Sequence, residues 1–293
     1  MGRKKKFGVK TFTITVITLT LLAISLFPYY YMVLQSFTAW DQVDKVMVPH
    51  GFTLRSYEYL IGKGGATNSM MWVRALVNSF LVAFPTAIIS VIIGLCNGYS
   101  VCKLKFKGER FIMDTLLFQM FFPTIILLVP RYMIAKPMAN TYGGMIIPMC
   151  ISIWAIFMYI NYFKTLPNEV FEAAKIDGAS EMQILFKIKM PLIKDIILLT
   201  LTMCLTGALR GFDIPFLLTS GGPGNASELM STYMYKKAFS SNQYGYGSTL
   251  AVFIIIESIL VVYILRKIFT SKEQKEEKRI EKERIRRNRR GNH

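Results

Sequence analysis

Apolar residues run along this chain in long blocks separated by short polar segments. A membrane crossing needs about twenty mostly apolar residues to span about 30 Å of hydrocarbon. Six blocks are long enough: about Thr11 to Phe37, Ala75 to Cys102, Phe111 to Pro130, Gly143 to Phe163, Ile196 to Leu218 and Ser248 to Leu265. The pattern predicts an all-α membrane protein with six transmembrane helices. The first block is too long for the apolar region of a signal peptide and no clear small-residue cleavage site follows it, so it is read as a retained anchor.

One polar island interrupts this pattern between the fourth and fifth blocks. From Glu172 to Pro191 the chain reads EAAKIDGASEMQILFKIKMP. Val170, Ala173 and Ala174 are spaced for a helix, and Gly178 is suited to end it by taking a positive φ. Ser180 and Gln183 match a capping box that restarts the helix. Pro167 suits a helix start, and Glu169 and Glu172 place negative charge near that helix's positive end. The expectation is two short helices joined at a glycine elbow, with Lys187 and Lys189 on the second and Pro191 opening the return into the membrane.

Charge fixes the sidedness. The net charge of +17 could suggest nucleic acid, but the basic residues divide among membrane flanks and lack an interleaved aromatic platform. With the N-terminus inside, cytosolic segments hold 26 of the 35 lysines and arginines, as the positive-inside rule requires. Both termini and the elbow are therefore cytosolic. Residues 1–10 form a basic N-terminal segment suited to anionic lipid headgroups, 11–266 the six-helix domain, and 267–293 a charged cytosolic tail.

Composition removes several chemistries. Cys96, Cys102, Cys150 and Cys204 sit in or beside apolar blocks without a C-x-x-C pair, and His50 and His293 are the two histidines, so no metal or histidine-based catalytic site is expected. No G-x-x-x-x-G-K-[ST] occurs, so the chain does not bind ATP through a phosphate loop. Polar residues in the apolar blocks are candidates for a solute path: Asn78, Gln119, Arg210, Asp213 and Glu257. Each also has a structural explanation. Asn78 and Gln119 could bond across helices, Arg210 and Asp213 are three apart and could pair on one helix bent by Pro215, and an interhelix hydrogen bond suits Glu257 as well as a path does.

The polar island resembles the EAA loop of ABC importer permeases, whose pattern is E-A-A-x-x-D-G-A, about a dozen residues, then proline. Glu172, Ala173, Ala174, Asp177, Gly178, Ala179, Ile188 and Pro191 stand in place, within a loop of about residues 165–191. Elsewhere Ser36 and Phe37, the F-T-L-x-x-Y of Phe52 to Tyr57, the N-S-F of Asn78 to Phe80, and the later GGP and G-Y-G-S-T-L-A resemble permeases of the maltose and multiple-sugar group.

This resemblance implies a permease subunit, itself not an enzyme, in the bacterial inner membrane. It implies cytosolic coupling helices between helices 4 and 5, with Glu172, Ala173, Ala174, Asp177, Gly178, Ala179 and Pro191 forming the contact to an ATPase. Its partners would be a second permease, two ATP-binding subunits that hold ATP and magnesium, and an external solute-binding protein. Its solute would be an oligosaccharide. The outer segments hold nine basic residues against five acidic, with Arg131, Arg210, Lys236 and Lys237 available, so a uronate oligomer such as alginate fits the charge. An amino-acid or peptide permease and an ion-coupled secondary transporter are the alternatives. The latter would lean on Glu257 and Asp213 as ion sites.

Overall fold

The computed structural model describes residues 9–62, 71–103 and 106–269. Arg3 to Lys6 and the charged tail from Ser271 lie outside them, as does most of the glycine-bearing part of the loop expected to be the first outer one. Among the described residues the chain is helical, with one isolated bridge between Thr38 and Phe52. The elements are α1 (Val9–Ser36), α2 (Arg55–Leu60), α3 (Met71–Lys103), α4 (Glu109–Met120), α5 (Leu128–Ala135), α6 (Tyr142–Ile146) and α7 (Ile153–Thr165). They continue as α8 (Asn168–Ile176), α9 (Glu181–Gln183), α10 (Met190–Leu192), α11 (Lys194–Leu209), α12 (Asp213–Thr219), α13 (Met230–Tyr235) and α14 (Tyr244–Phe269).

Three helices, α1, α3 and α14, are long and apolar enough to cross a membrane unaided, and three further spans qualify if each bent pair is counted as one. The third apolar block is not one straight helix. It turns by 107° between α4 and the segment Thr124–Met138, because Pro123 takes an extended conformation (ψ 131°) and gives no N–H to the helical ladder. The fourth bends by 41° at Cys150 to Ser152, after a 3₁₀ turn containing Pro148. A 63° bend at Ile193 precedes the fifth block, and its helix α11 stops at Leu209, so Arg210 and Asp213 do not share a helix. Pro215 lies in the first turn of α12, inside the new helix and past the break.

The chain divides into two compact units, the described residues of Met1–Arg74 with Met230–Ile255, and those of Ala75–Leu229 with Ile256–His293. In the first, the C-terminal end of α1 is pinned by hydroxyls and rings. Ser36 Oγ lies 2.9 Å from the Tyr57 hydroxyl, Trp40 Nε1 donates to Ser56 Oγ at 3.2 Å, and Tyr59 meets Tyr246 edge-on at 4.9 Å. From Thr11 to Tyr30, by contrast, α1 is exposed along its whole length.

The second unit is built around α3, α7 and α11. Gly94 and Gly98, four residues apart on α3, let α7 approach. A Cβ at position 98 would stand 2.5 Å from that of Tyr159. Tyr159 is fully buried, and its hydroxyl meets Thr200 Oγ1 on α11 at 2.6 Å, so its polar end is satisfied in the apolar interior. Ala83, Ala87, Leu205, Leu209 and Val261 form a further core cluster.

Candidate functional site

Two features of the second unit bear on function, the elbow between α7 and α11 and a cleft at the broken helices.

The elbow forms as its residues dictate. Pro167 sits one residue before α8, with ψ 129°. At the far end Gly178 takes φ 81°, the Gly178 N–H donates to Lys175 O at 3.0 Å and the Ala179 N–H to Ala174 O at 3.0 Å. These two bonds are the pair of a Schellman cap. The chain then restarts through a reciprocal capping box: Ser180 N–H donates to Gln183 Oε1 at 2.9 Å and Gln183 N–H to Ser180 Oγ at 3.3 Å. Beyond α9, residues Ile184–Lys189 widen into a π-helical turn ahead of Pro191, which has no N–H for the α-helical ladder.

The elbow faces two ways. Phe171 and Ile184 are buried, and Lys189 Nζ donates to the Tyr99 hydroxyl on α3 at 2.8 Å while lying 5.4 Å from the Phe171 ring centroid. Tyr162 on α7 donates to the Leu192 carbonyl at 2.7 Å. The elbow is thereby fastened to α3 and α7. On its other side Ile176 is 86% exposed, and Met182 and Phe186 are also exposed. Glu172, Ala173, Asp177, Gly178 and Pro191 are exposed as well, with Ala174 and Ala179 half-buried. Exposed apolar side chains grouped on a short polar segment form a contact surface.

The cleft has a volume of about 310 Å³ and lies at the breaks in the third and fourth blocks. Thr86, Ser90, Gln119, Arg131, Ser152 and Trp154 give it polar and aromatic walls. A pocket of about 150 Å³ shares Ser152, Trp154, Met203 and Cys204 with it and reaches Thr200.

The candidate path residues separate in space. Gln119 lines the cleft. Asn78 is 4% exposed and its amide is committed: Nδ2 donates to the carbonyls of Ala226 (2.9 Å) and Glu228 (3.0 Å), and Oδ1 accepts from the Tyr142 hydroxyl at 2.9 Å. It clamps the glycine-rich segment 220–229, whose Gly221 and Gly224 have positive φ. Arg210 is exposed with Nε donating to Thr206 O at 3.1 Å, and Asp213 is exposed at the start of α12 without pairing to it. Glu257 is 5% exposed on α14, and among the described residues neither carboxylate oxygen has a hydrogen-bond partner.

Sequence reasoning missed Thr86, Ser90 and Ser152. Thr86 and Ser90 were visible as a polar pair one helical turn apart on an otherwise apolar helix. Ser152 had no such signal, because it lines the cleft only through the break before α7.

Over residues 87–275 the chain matches the family described as binding-protein-dependent transport system inner membrane component. It belongs to that family. The permease is 26% identical to UgpE, an sn-glycerol-3-phosphate transport system permease protein of Brucella suis, over 83% of this chain and 88% of that one. It is 31% identical to MsmF, a multiple sugar-binding transport system permease protein of Streptococcus mutans, over 46% of this chain and about half (49%) of that one. Its fold is similar to a bacterial ABC transporter involved in the import of the acidic polysaccharide alginate, with a TM-score of 0.68 at 20% identity, over 92% of this chain and 100% of that one.

Proposed function

We propose that this permease forms half of the translocation path of an ABC importer for oligosaccharides in the bacterial inner membrane, with six spans and cytosolic termini. The elbow is its coupling segment. The observation that carries this reading is the elbow's two-sidedness: Phe171, Ile184 and Lys189 fasten it to the membrane helices while Ile176, Met182 and Phe186 face outward.

Separate ATPase subunits hold ATP and magnesium, and each receives one coupling segment in a surface cleft. When two such subunits close on ATP, the elbows of this chain and a second permease are drawn together. Because Lys189 and Tyr162 tie the elbow to α3 and α7, that displacement reaches helices whose Thr86, Ser90, Ser152 and Trp154 line the cleft. The cleft then opens outward to accept a saccharide from the external binding protein, and hydrolysis restores the inward-facing state. Hydroxyls, an amide and an exposed indole suit a sugar, whose rings stack and whose hydroxyls donate and accept. The exposed length of α1 meets lipid or the second permease.

The test is assembly. Affinity-purified wild type brings down an ATPase and a second permease, and Ile176→Glu or Phe186→Glu, which place a charge on the contact surface, lose the ATPase. Retention of the ATPase by both variants at wild-type level would contradict this placement of the contact.

A further inference from the structure

The cleft carries an unmatched positive charge. Arg131 is the one charged side chain in its lining among the described residues, no carboxylate stands there, and no ion pair holds the guanidinium. Arginine keeps its charge at any relevant pH, and a cation with no counter-charge beside it favours an anion entering its space. The start of α7 adds to the imbalance. Ser152 caps it by accepting from Ala155 N–H at 3.3 Å, and the helix directs its positive end at the same space. The three other cations singled out from the sequence are differently engaged: Arg210 turns back to the Thr206 carbonyl, Lys237 stands 5.5 Å from the Tyr233 ring centroid, and Lys236 has a partner of its own.

We infer that the solute passing through this cleft is a saccharide bearing carboxylates, and that Arg131 is the residue that reads the acid group. The inference rests on the cleft being the solute path. A planar guanidinium matches a carboxylate with two parallel hydrogen bonds, which a neutral hydroxyl cannot reproduce. Around it Gln119, with no hydrogen bond to its side-chain amide among the described residues, and the Ser90 hydroxyl are placed for ring hydroxyls, and the Trp154 ring is exposed for stacking. The acid group supplies a counter-charge that this chain's lining of the cleft does not.

The experiment is ATP-driven uptake into proteoliposomes holding the full transporter and its binding protein. The probes are galacturonate and mannuronate trimers and their carboxyl-reduced neutral counterparts. Wild type is expected to import a uronate trimer. Arg131→Gln lowers that uptake at least tenfold although the complex assembles, and Arg131→Lys retains a larger share. A companion variant, Gly207→Trp, tests the path itself: a Cβ at Gly207 meets nothing within 4 Å, so the indole extends into the cleft and abolishes uptake of every saccharide. If Gly207→Trp blocks uptake while Arg131→Gln imports uronates like wild type, the cleft stands as the path and the charge reading fails. If neither variant changes uptake, both fail. Wild-type import of the neutral forms alone, or of neither form, also overturns the inference.

Discussion

Gly178 and Asn78 are the residues on which local geometry turns, for opposite reasons. At Gly178 the space a Cβ would occupy is open, so the cost of a side chain is conformational, about 1–2 kcal/mol for holding an L-residue at φ 81°. That requirement was legible, since a glycine after a helical run and before a capping box has few other uses. Asn78 was legible only as a polar residue in an apolar block. Its partners lie 64, 148 and 150 residues away, and nothing local specifies them. Asn78→Ala leaves the buried Glu228 carbonyl, the part-buried Ala226 carbonyl and a tyrosine hydroxyl without these bonds, at about 1–3 kcal/mol for the stranded buried group. A lower thermal unfolding midpoint of the purified complex is the expected outcome, and an unchanged midpoint would show that segment 220–229 does not depend on this clamp.

Among the elements, the unbroken helices follow the apolar blocks closely and the broken ones do not. Met71–Lys103 contains the predicted Ala75 to Cys102, and Tyr244–Phe269 contains Ser248 to Leu265. The third block was equally apolar, and hydropathy does not register that Pro123 turns its chain through 107°. Periodicity likewise suggested that Arg210 and Asp213 could pair, which the end of α11 at Leu209 prevents. The packing of α3 on α7 was carried by small residues whose purpose shows only with the partner in view. Gly98→Leu drives a side chain into the Tyr159 Cβ and the backbone of Ile160, 3.3 Å from where a Cβ would lie. It is expected to lower the amount of folded protein recovered from membranes more strongly than Gly207→Leu, where no atom stands within 4 Å of the added Cβ. Equal recovery of the two would mean that α3 and α7 tolerate separation.

At the scale of the whole molecule, membrane character, helical class and transporter family were legible because hydrocarbon thickness, basic flanks and the EAA spacing each constrain sequence over long stretches. The cleft was not, because its walls come from two helix breaks and from residues as distant as Thr86 and Met203. The proposed function joins these two parts. An elbow that only bound an ATPase would need no tie to α3, yet Lys189 reaches Tyr99 and Phe171 together. The most direct test of this linkage is the ratio of saccharide imported to ATP hydrolysed in proteoliposomes containing wild type or Lys189→Met. With the ATPase still bound, the account predicts that Lys189→Met hydrolyses ATP but imports at least several-fold less saccharide per ATP. A wild-type ratio in that variant would contradict it.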